Sequence, residues 1–185
     1  MLQIALIVLA VIAVILILFL IVVALQPSKF RVERKATIAA PPDVVFDHVN
    51  SFHKWNDWSP WAKLDPNAKD SYDGPEAGVG AKFAWDGNKQ VGQGRMTIME
   101  SRPSKLIRIK LEFLKPFSCT NMAEFTLEPQ GNQTLITWAM TGEKNFMSKA
   151  FCMFMNMDKM VGSDFEKGLA SMKSLAEGQA ALAKA

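Results

Sequence analysis

Cysteine is scarce in this chain: Cys119 and Cys152 are the whole supply, and 33 residues separate them. That rules out a disulfide framework, and without a C-x-x-C pair the usual structural-zinc spacing is missing too; both fit a reducing compartment. Histidine is limited to His48 and His53, with no Cys, His or acid pair at ligand spacing, so neither a metal nor a cofactor is expected. No G-x-S-x-G occurs, and Ser51-Phe52-His53-Lys54 has the S-x-x-K form without a K-T-G partner. Gly78-Val79-Gly80 and Gly92-Gln93-Gly94 lack the rest of any phosphate-binding loop and read as hairpin glycines. No catalytic residue is assigned. A surplus of one charge sign is also missing. The net charge of +3 resides in Lys29, Arg31, Glu33, Arg34 and Lys35, leaving 17 basic and 17 acidic residues elsewhere. A nucleic-acid binder needs a basic face, and none is visible.

Apolar sequence, by contrast, is abundant at the start. Ile4 to Leu25 runs 22 residues without a polar side chain, and 18 of them are Leu, Ile, Val or Phe. As a helix it would be about 33 Å long, against a hydrocarbon core of about 30 Å. A signal peptide would need a basic n-region, and Met1-Leu2-Gln3 has none; only Val22-Val23-Ala24 resembles a cleavage site. Residues 4–25 are therefore expected to be an uncleaved anchor in the bilayer. The basic cluster after it predicts a single-pass protein of the inner membrane with its C-terminal domain in the cytoplasm. The same Lys29, Arg31, Arg34 and Lys35 are positioned to meet anionic lipid head groups. The span offers no small-xxx-small face, which makes it a passive tether.

Beyond Gln26-Pro27-Ser28 the pattern changes. Phe30 to Ile38 alternates as a half-buried strand, and Pro41-Pro42-Asp43 opens a short helix over Val44 to Val49. Strand-like runs follow at Gly80–Trp85 (ending on the Asp86-Gly87 hairpin signal), Gly94–Glu100, Lys105–Leu114, Thr120–Glu128 and Thr134–Met140, with a turn at Pro129 to Asn132. One polar face per strand indicates an antiparallel sheet. From Met157 the period becomes helical: Met157, Met160, Val161, Phe165, Leu169, Met172 and Leu175 form one stripe on a helix of about 20 residues. The expected organisation is an anchor and linker over 1–28, one α+β domain over 29–178 and a frayed tail over 179–185.

Three of five tryptophans fall in FHKWNDWSPW, residues 52–61, too polar for a core helix and broken by Pro60. Together with TIAAPPDVVFDHVN before it, GPEAGVGAKFAWDGN, VGQGRMTIMESRPSKLIRIKLEF, LITWAMTGE and DFEKGLASMK, this segment resembles the START/polyketide-cyclase (SRPBCC) superfamily, in its membrane-anchored bacterial branch. The resemblance spans about Phe30 to Glu177. It implies a helix-grip fold, an antiparallel sheet wrapped round a long C-terminal helix, with a cavity between them for a hydrophobic small molecule or lipid. The superfamily shares no catalytic residue.

On that resemblance the tryptophan segment crosses the mouth of the cavity. Trp55, Trp58 and Trp61 then line it, plug it as core, or form a membrane-interface belt. Further candidates for the lining are Phe83, Trp85, Phe113, Phe125, Trp138, Phe154, Met157 and Phe165. His48, Asp57, Arg95 and Glu100 are the candidate polar groups. The Met-rich Asn145 to Met160 reads as a repacking lid or as gap-filling core. Membrane-tethered binding is the expected function. A cavity-based enzyme of cyclase, hydratase or hydrolase type, or an interaction factor with a vestigial cavity, are the alternatives.

Overall fold

A computed structural model describes residues 1–153 and 156–183. Helix α1, Leu2–Leu25, is apolar throughout and long enough to cross a membrane. Strand β1, Lys29–Ile38, starts four residues after it ends. Then come α2 (Pro42–Asn50), a 3-10 turn (Phe52–Lys54) and α3 (Trp55–Trp58). Six strands follow: β2 (Lys69–Asp73), β3 (Lys82–Asp86), β4 (Gln93–Arg102), β5 (Leu106–Lys115), β6 (Cys119–Gln130) and β7 (Gln133–Glu143). Helices α4 (Phe146–Cys152) and α5 (Met157–Leu182) close the chain. The seven strands make one antiparallel sheet in the order β1-β7-β6-β5-β4-β3-β2. This is the helix-grip fold.

Three local expectations are corrected. Strand β2, KDSYD, was not expected, because all five residues are exposed and polar residues at a charged sheet edge carry no burial period. Pro129 and Gln130 belong to β6, paired with Thr134 and Gln133, so the turn is only Gly131-Asn132, with Gly131 at φ 61°. Asp86-Gly87 does not make a two-residue hairpin. Residues 87–92 form a wider loop, closed by Gly87 N–H donating to Gly92 O at 3.0 Å and tied down by Asn88 N–H donating to Asp65 Oδ2 at 2.7 Å.

Helix α5 lies along β1 and runs in the same direction. Arg34 donates to Asp158 and Glu166, the Lys173 ammonium to Thr37 O at 2.9 Å, and Ala39 N–H to Glu177 Oε1 at 2.8 Å. Its buried stripe is Phe165, Leu169, Met172, Ala176 and Ala180. Met160, expected on that stripe, is 45% exposed, because at about 3.6 residues per turn it lies on the side of α5 away from Gly162, Phe165 and Leu169. At its other end the helix continues past Gln179 to Leu182, since Ala180 still packs on the core.

The direction of α5 gives the sheet two unlike ends. Helix α2 closes the end at Ile38. The other end carries the start of β1, the finish of β7 and helix α4. It is also where α1 joins.

Candidate ligand-binding cleft

The middle of the grip is filled by aromatic rings. Trp138 of β7 stacks on Phe165 of α5, with centroids 4.0 Å apart and planes at 9°, and on Phe125 at 4.9 Å. Trp58 and Trp61 meet Trp138 edge-on at 5.5 and 5.9 Å, and Trp55 packs on Trp58 at 4.7 Å. Gly168 of α5 makes this possible, since a Cβ there would lie 2.9 Å from the Trp138 ring. The indole N–H groups of Trp55 and Trp58 donate to Val49 O and His48 O, both at 3.0 Å, which places two polar atoms in the core without penalty. Trp55 and Trp58 are thus packed interior, and Trp61 is half-buried over the cluster. The Trp138 N–H is buried with no partner among the described residues.

The candidate polar groups are dispersed. Arg95 and Glu100 stand on the outer face of the sheet: alternation puts Arg95 opposite Glu112, and a β-bulge between Ile98 and Glu100 turns Glu100 outward opposite Arg108. There Arg95 bonds Glu112 at 2.8 Å, Glu100 bonds Arg108 at 2.7 Å, and Lys110 joins Glu112 at 3.0 Å. The Glu112 carboxyl falls to about 2, held first by its hydrogen bond from Arg95 and then by Lys110. Asp57 is exposed on α3. His48 is buried. Neither ring nitrogen meets a partner of good geometry, although the Gln179 side chain lies near enough to favour the cation slightly; burial is the larger effect and pushes the imidazole below its ordinary value. Arg34 is engaged within the fold. It points inward, its guanidinium occupying the space a side chain at Gly162 would need, and two α5 carboxylates hold its pKa up. Phe154 lies outside the described residues, and Met157 is half-buried at the start of α5.

What does open is a row of the inner face. Paired positions cross all seven strands as Phe30, Gly142, Asn121, Leu111, Met96, Phe83 and Tyr72. Phe30, Leu111 and Phe83 are half-buried and Tyr72 is exposed. Beyond it, Cys119, Phe113, Gly94 and Trp85 form the last row at this end. Two glycines shape the opening. A Cβ at Gly142 would meet Asn121 Oδ1 at 2.1 Å and the Phe30 ring at 2.7 Å; one at Gly94 would meet the Trp85 ring at 2.4 Å. Their absent side chains let Phe30 and Trp85 lie flat, and Trp85 is pinned by its N–H donating to Val91 O at 3.0 Å. A cleft of about 610 Å³ lies at the sheet edge where β1 and β6 begin and β7 ends; Phe30, Asn121 and Gly142 of this row border it, while Lys29, Arg31, Thr120, Met122, Thr141 and Glu143 border it from the other face. A second, of about 430 Å³, lies between the 3-10 turn and β2, under the stacked His53 and Tyr72 rings. Both volumes are of small-ligand size.

Trp85 and Phe113 were legible as candidates. Phe30, Leu111, Asn121 and Gly142 were not. Phe30 alternated correctly in β1, but nothing in the sequence says where α5 stops covering the sheet.

The polyketide cyclase / dehydrase and lipid transport family matches residues 29–177, and the chain belongs to it. No curated protein sequence matches significantly. Among solved structures, the di-domain ARO/CYC StfQ from the steffimycin biosynthetic pathway aligns at TM-score 0.61 and 13% identity, covering 83% of this chain and 52% of that one. A protein from Chromobacterium violaceum aligns at TM-score 0.57 and 16% identity, covering 82% and 99%. The Aha1 dimer from Colwellia psychrerythraea aligns at TM-score 0.55 and 16% identity, covering 80% and 96%. These likenesses show the fold. That fold is one whose family members carry a ligand cavity.

Proposed function

We propose that this protein is a membrane-tethered module that holds one apolar small molecule or lipid at the α1 end of its grip. The carrying observation is the half-covered row from Phe30 to Phe83, at the end of the sheet from which α1 departs. An alkyl chain lying along Phe30, Leu111 and Phe113 would remove apolar surface from water at roughly 25 cal/mol per Å². Asn121, 7% exposed and with the Cys119 sulfur at 3.9 Å as the side-chain partner of its amide N–H among the described residues, supplies the polar contact that orients such a ligand. The row contains no carboxylate, histidine or lysine, which supports binding over proton transfer.

The anchor makes sense of the location. Helix α1 holds the open end at the lipid surface, where an apolar ligand is concentrated, and an inward basic flank keeps the domain in the cytoplasm. Mass spectrometry of the full chain released from lipid nanodiscs tests the reading. The native protein should retain a lipid, and Leu111→Lys and Phe113→Lys should lose it while melting within a few degrees of native. Equal retention by both variants would overturn it.

A further inference from the structure

Helix α4 is short and almost entirely uncovered. Phe146 is 45% exposed, Met147 75%, Phe151 58% and Met153 38%. Exposed apolar side chains are normal when scattered, but these four fall within eight residues. The helix is nevertheless firmly begun: the Asn145 side chain accepts the Ser148 N–H at 2.8 Å, and Lys144 N–H donates to Ser28 O.

Its neighbour explains the exposure. Helix α4 packs against the C-terminal part of α1, and the Lys149 ammonium donates to Ala24 O at 3.3 Å. Among the described side chains of Gln3 to Leu25, only Phe19 and Val23 are shielded, Val23 completely. Phe19 lies about 9 Å along the helix from Leu25, at about 1.5 Å per residue. A segment that shields this stretch of an apolar span sits at the same depth as the stretch itself. If α1 crosses a bilayer, α4 cannot be in bulk water.

We infer that α4 is an interfacial foot, lying in the boundary between head groups and acyl chains with Phe146, Met147, Phe151 and Met153 turned into lipid. This rests on the tether proposed above. A depth of about 5–10 Å is what an amphipathic helix reaches in that boundary, and Lys149 has the long apolar stem and charged tip of a residue that reaches back to the surface. The β5–β6 turn is at the same end of the sheet and carries Phe117, 83% exposed, whereas the β6–β7 turn at the opposite end is Gly131-Asn132. The foot fixes the open row of the sheet against the membrane, and a ligand can enter from lipid without crossing water.

The test uses the full chain carrying Cys119→Ala and Cys152→Ala, in a bilayer of phosphatidylethanolamine and phosphatidylglycerol. Single spin labels are placed at Met147→Cys and Phe151→Cys, with Ile12→Cys in α1 and Asn132→Cys in the far turn as references. Collision with oxygen and with a water-soluble nickel chelate reads depth. The labels at 147 and 151 should collide with oxygen more than nickel, near the Ile12 label. If they collide with nickel as freely as the Asn132 label while Ile12 stays sheltered, the foot is wrong and the tether stands. If Ile12 is itself open to nickel, the tether fails and the foot with it.

Discussion

Two neighbouring rows of the sheet, only two residues apart along each strand, differ in cover at Phe30 and Leu111, although Asn121 and Met96 between and beside them are buried. Val32, Met140, Ala123, Ile109 and Ile98 form one, between 0 and 7% exposed. Phe30, Gly142, Asn121, Leu111 and Met96 form the other, where Phe30 and Leu111 remain half-open. Both rows face inward, and both belong to the same five strands. The difference is cover: α5 and the tryptophan segment reach the first and stop short of the second. Stability is concentrated in one row and ligand access in the next, which is how a domain of this size keeps a core and a site on one sheet.

The sharpest way to break this comparison is in the filled centre. Trp138→Ala should cost about 3–5 kcal/mol, the range for a buried large aromatic, and urea denaturation of the full chain in detergent should show it. Ile109→Ala should cost about 2–5 kcal/mol for the same reason. In the open row, Leu111→Ala should cost less than Ile109→Ala, because part of its surface is already in water. Equal losses at 109 and 111 would mean that the two rows are equally packed.

Filling the opening comes next. Gly142→Val places methyl groups where Asn121 Oδ1 and the Phe30 ring now sit, and overpacking of this kind costs about 1–3 kcal/mol. It should lower the melting temperature modestly and abolish lipid retention. Retention unchanged in a folded Gly142→Val variant would place the ligand elsewhere.

A smaller effect follows from His48. Burial lowers its folded pKa below the ordinary 6.5, so on acidification the unfolded chain takes up the proton first. Its contribution is complete above about pH 6.5 and is lost as the pH falls toward the folded value. His48→Gln should flatten the melting-temperature profile between neutrality and mild acid. A native slope that survives the substitution would assign it to other groups.

The smallest effect belongs to the outer face. Glu112→Gln removes a carboxylate shared by Arg95 and Lys110, and exposed pairs are worth about 0.2–1 kcal/mol, less in high salt. The contribution of Glu112 is present above its ordinary value and is lost as the pH falls toward about 2, a more acid range than that of His48. A loss above this range at Glu112 would show that the ladder does more than decorate the solvent face.

Much of the architecture could be read from periodicity alone. The alternation of β1 and β5 and the stripe on α5 follow from burial on one side, and the 22-residue run from its unbroken apolar composition. Strand β2 has no buried side, so KDSYD carries no period to read. The site was less legible. Strand alternation says that Phe30, Arg34 and Ile38 share a face, but only the position of α5 decides that Ile38 is sealed, Arg34 is clamped by Asp158 and Glu166, and Phe30 is left open. The sequence left the tryptophans open between lining, core and interface belt, because it shows their polar neighbours and not the indole N–H bonds to Val49 and His48 that pack Trp55 and Trp58 into the interior.

The most direct test of the open row is covalent mapping of an apolar probe. A fatty acid carrying a diazirine near its chain end is added to the full chain in nanodiscs, irradiated, and its adducts are located by peptide mass spectrometry. Adducts on the peptides holding Phe30 and Leu111 to Phe113, absent from the peptide holding Trp138 and reduced by Gly142→Val, are the predicted result. Adducts confined to α1, or unchanged by Gly142→Val, would contradict a site in the half-covered row.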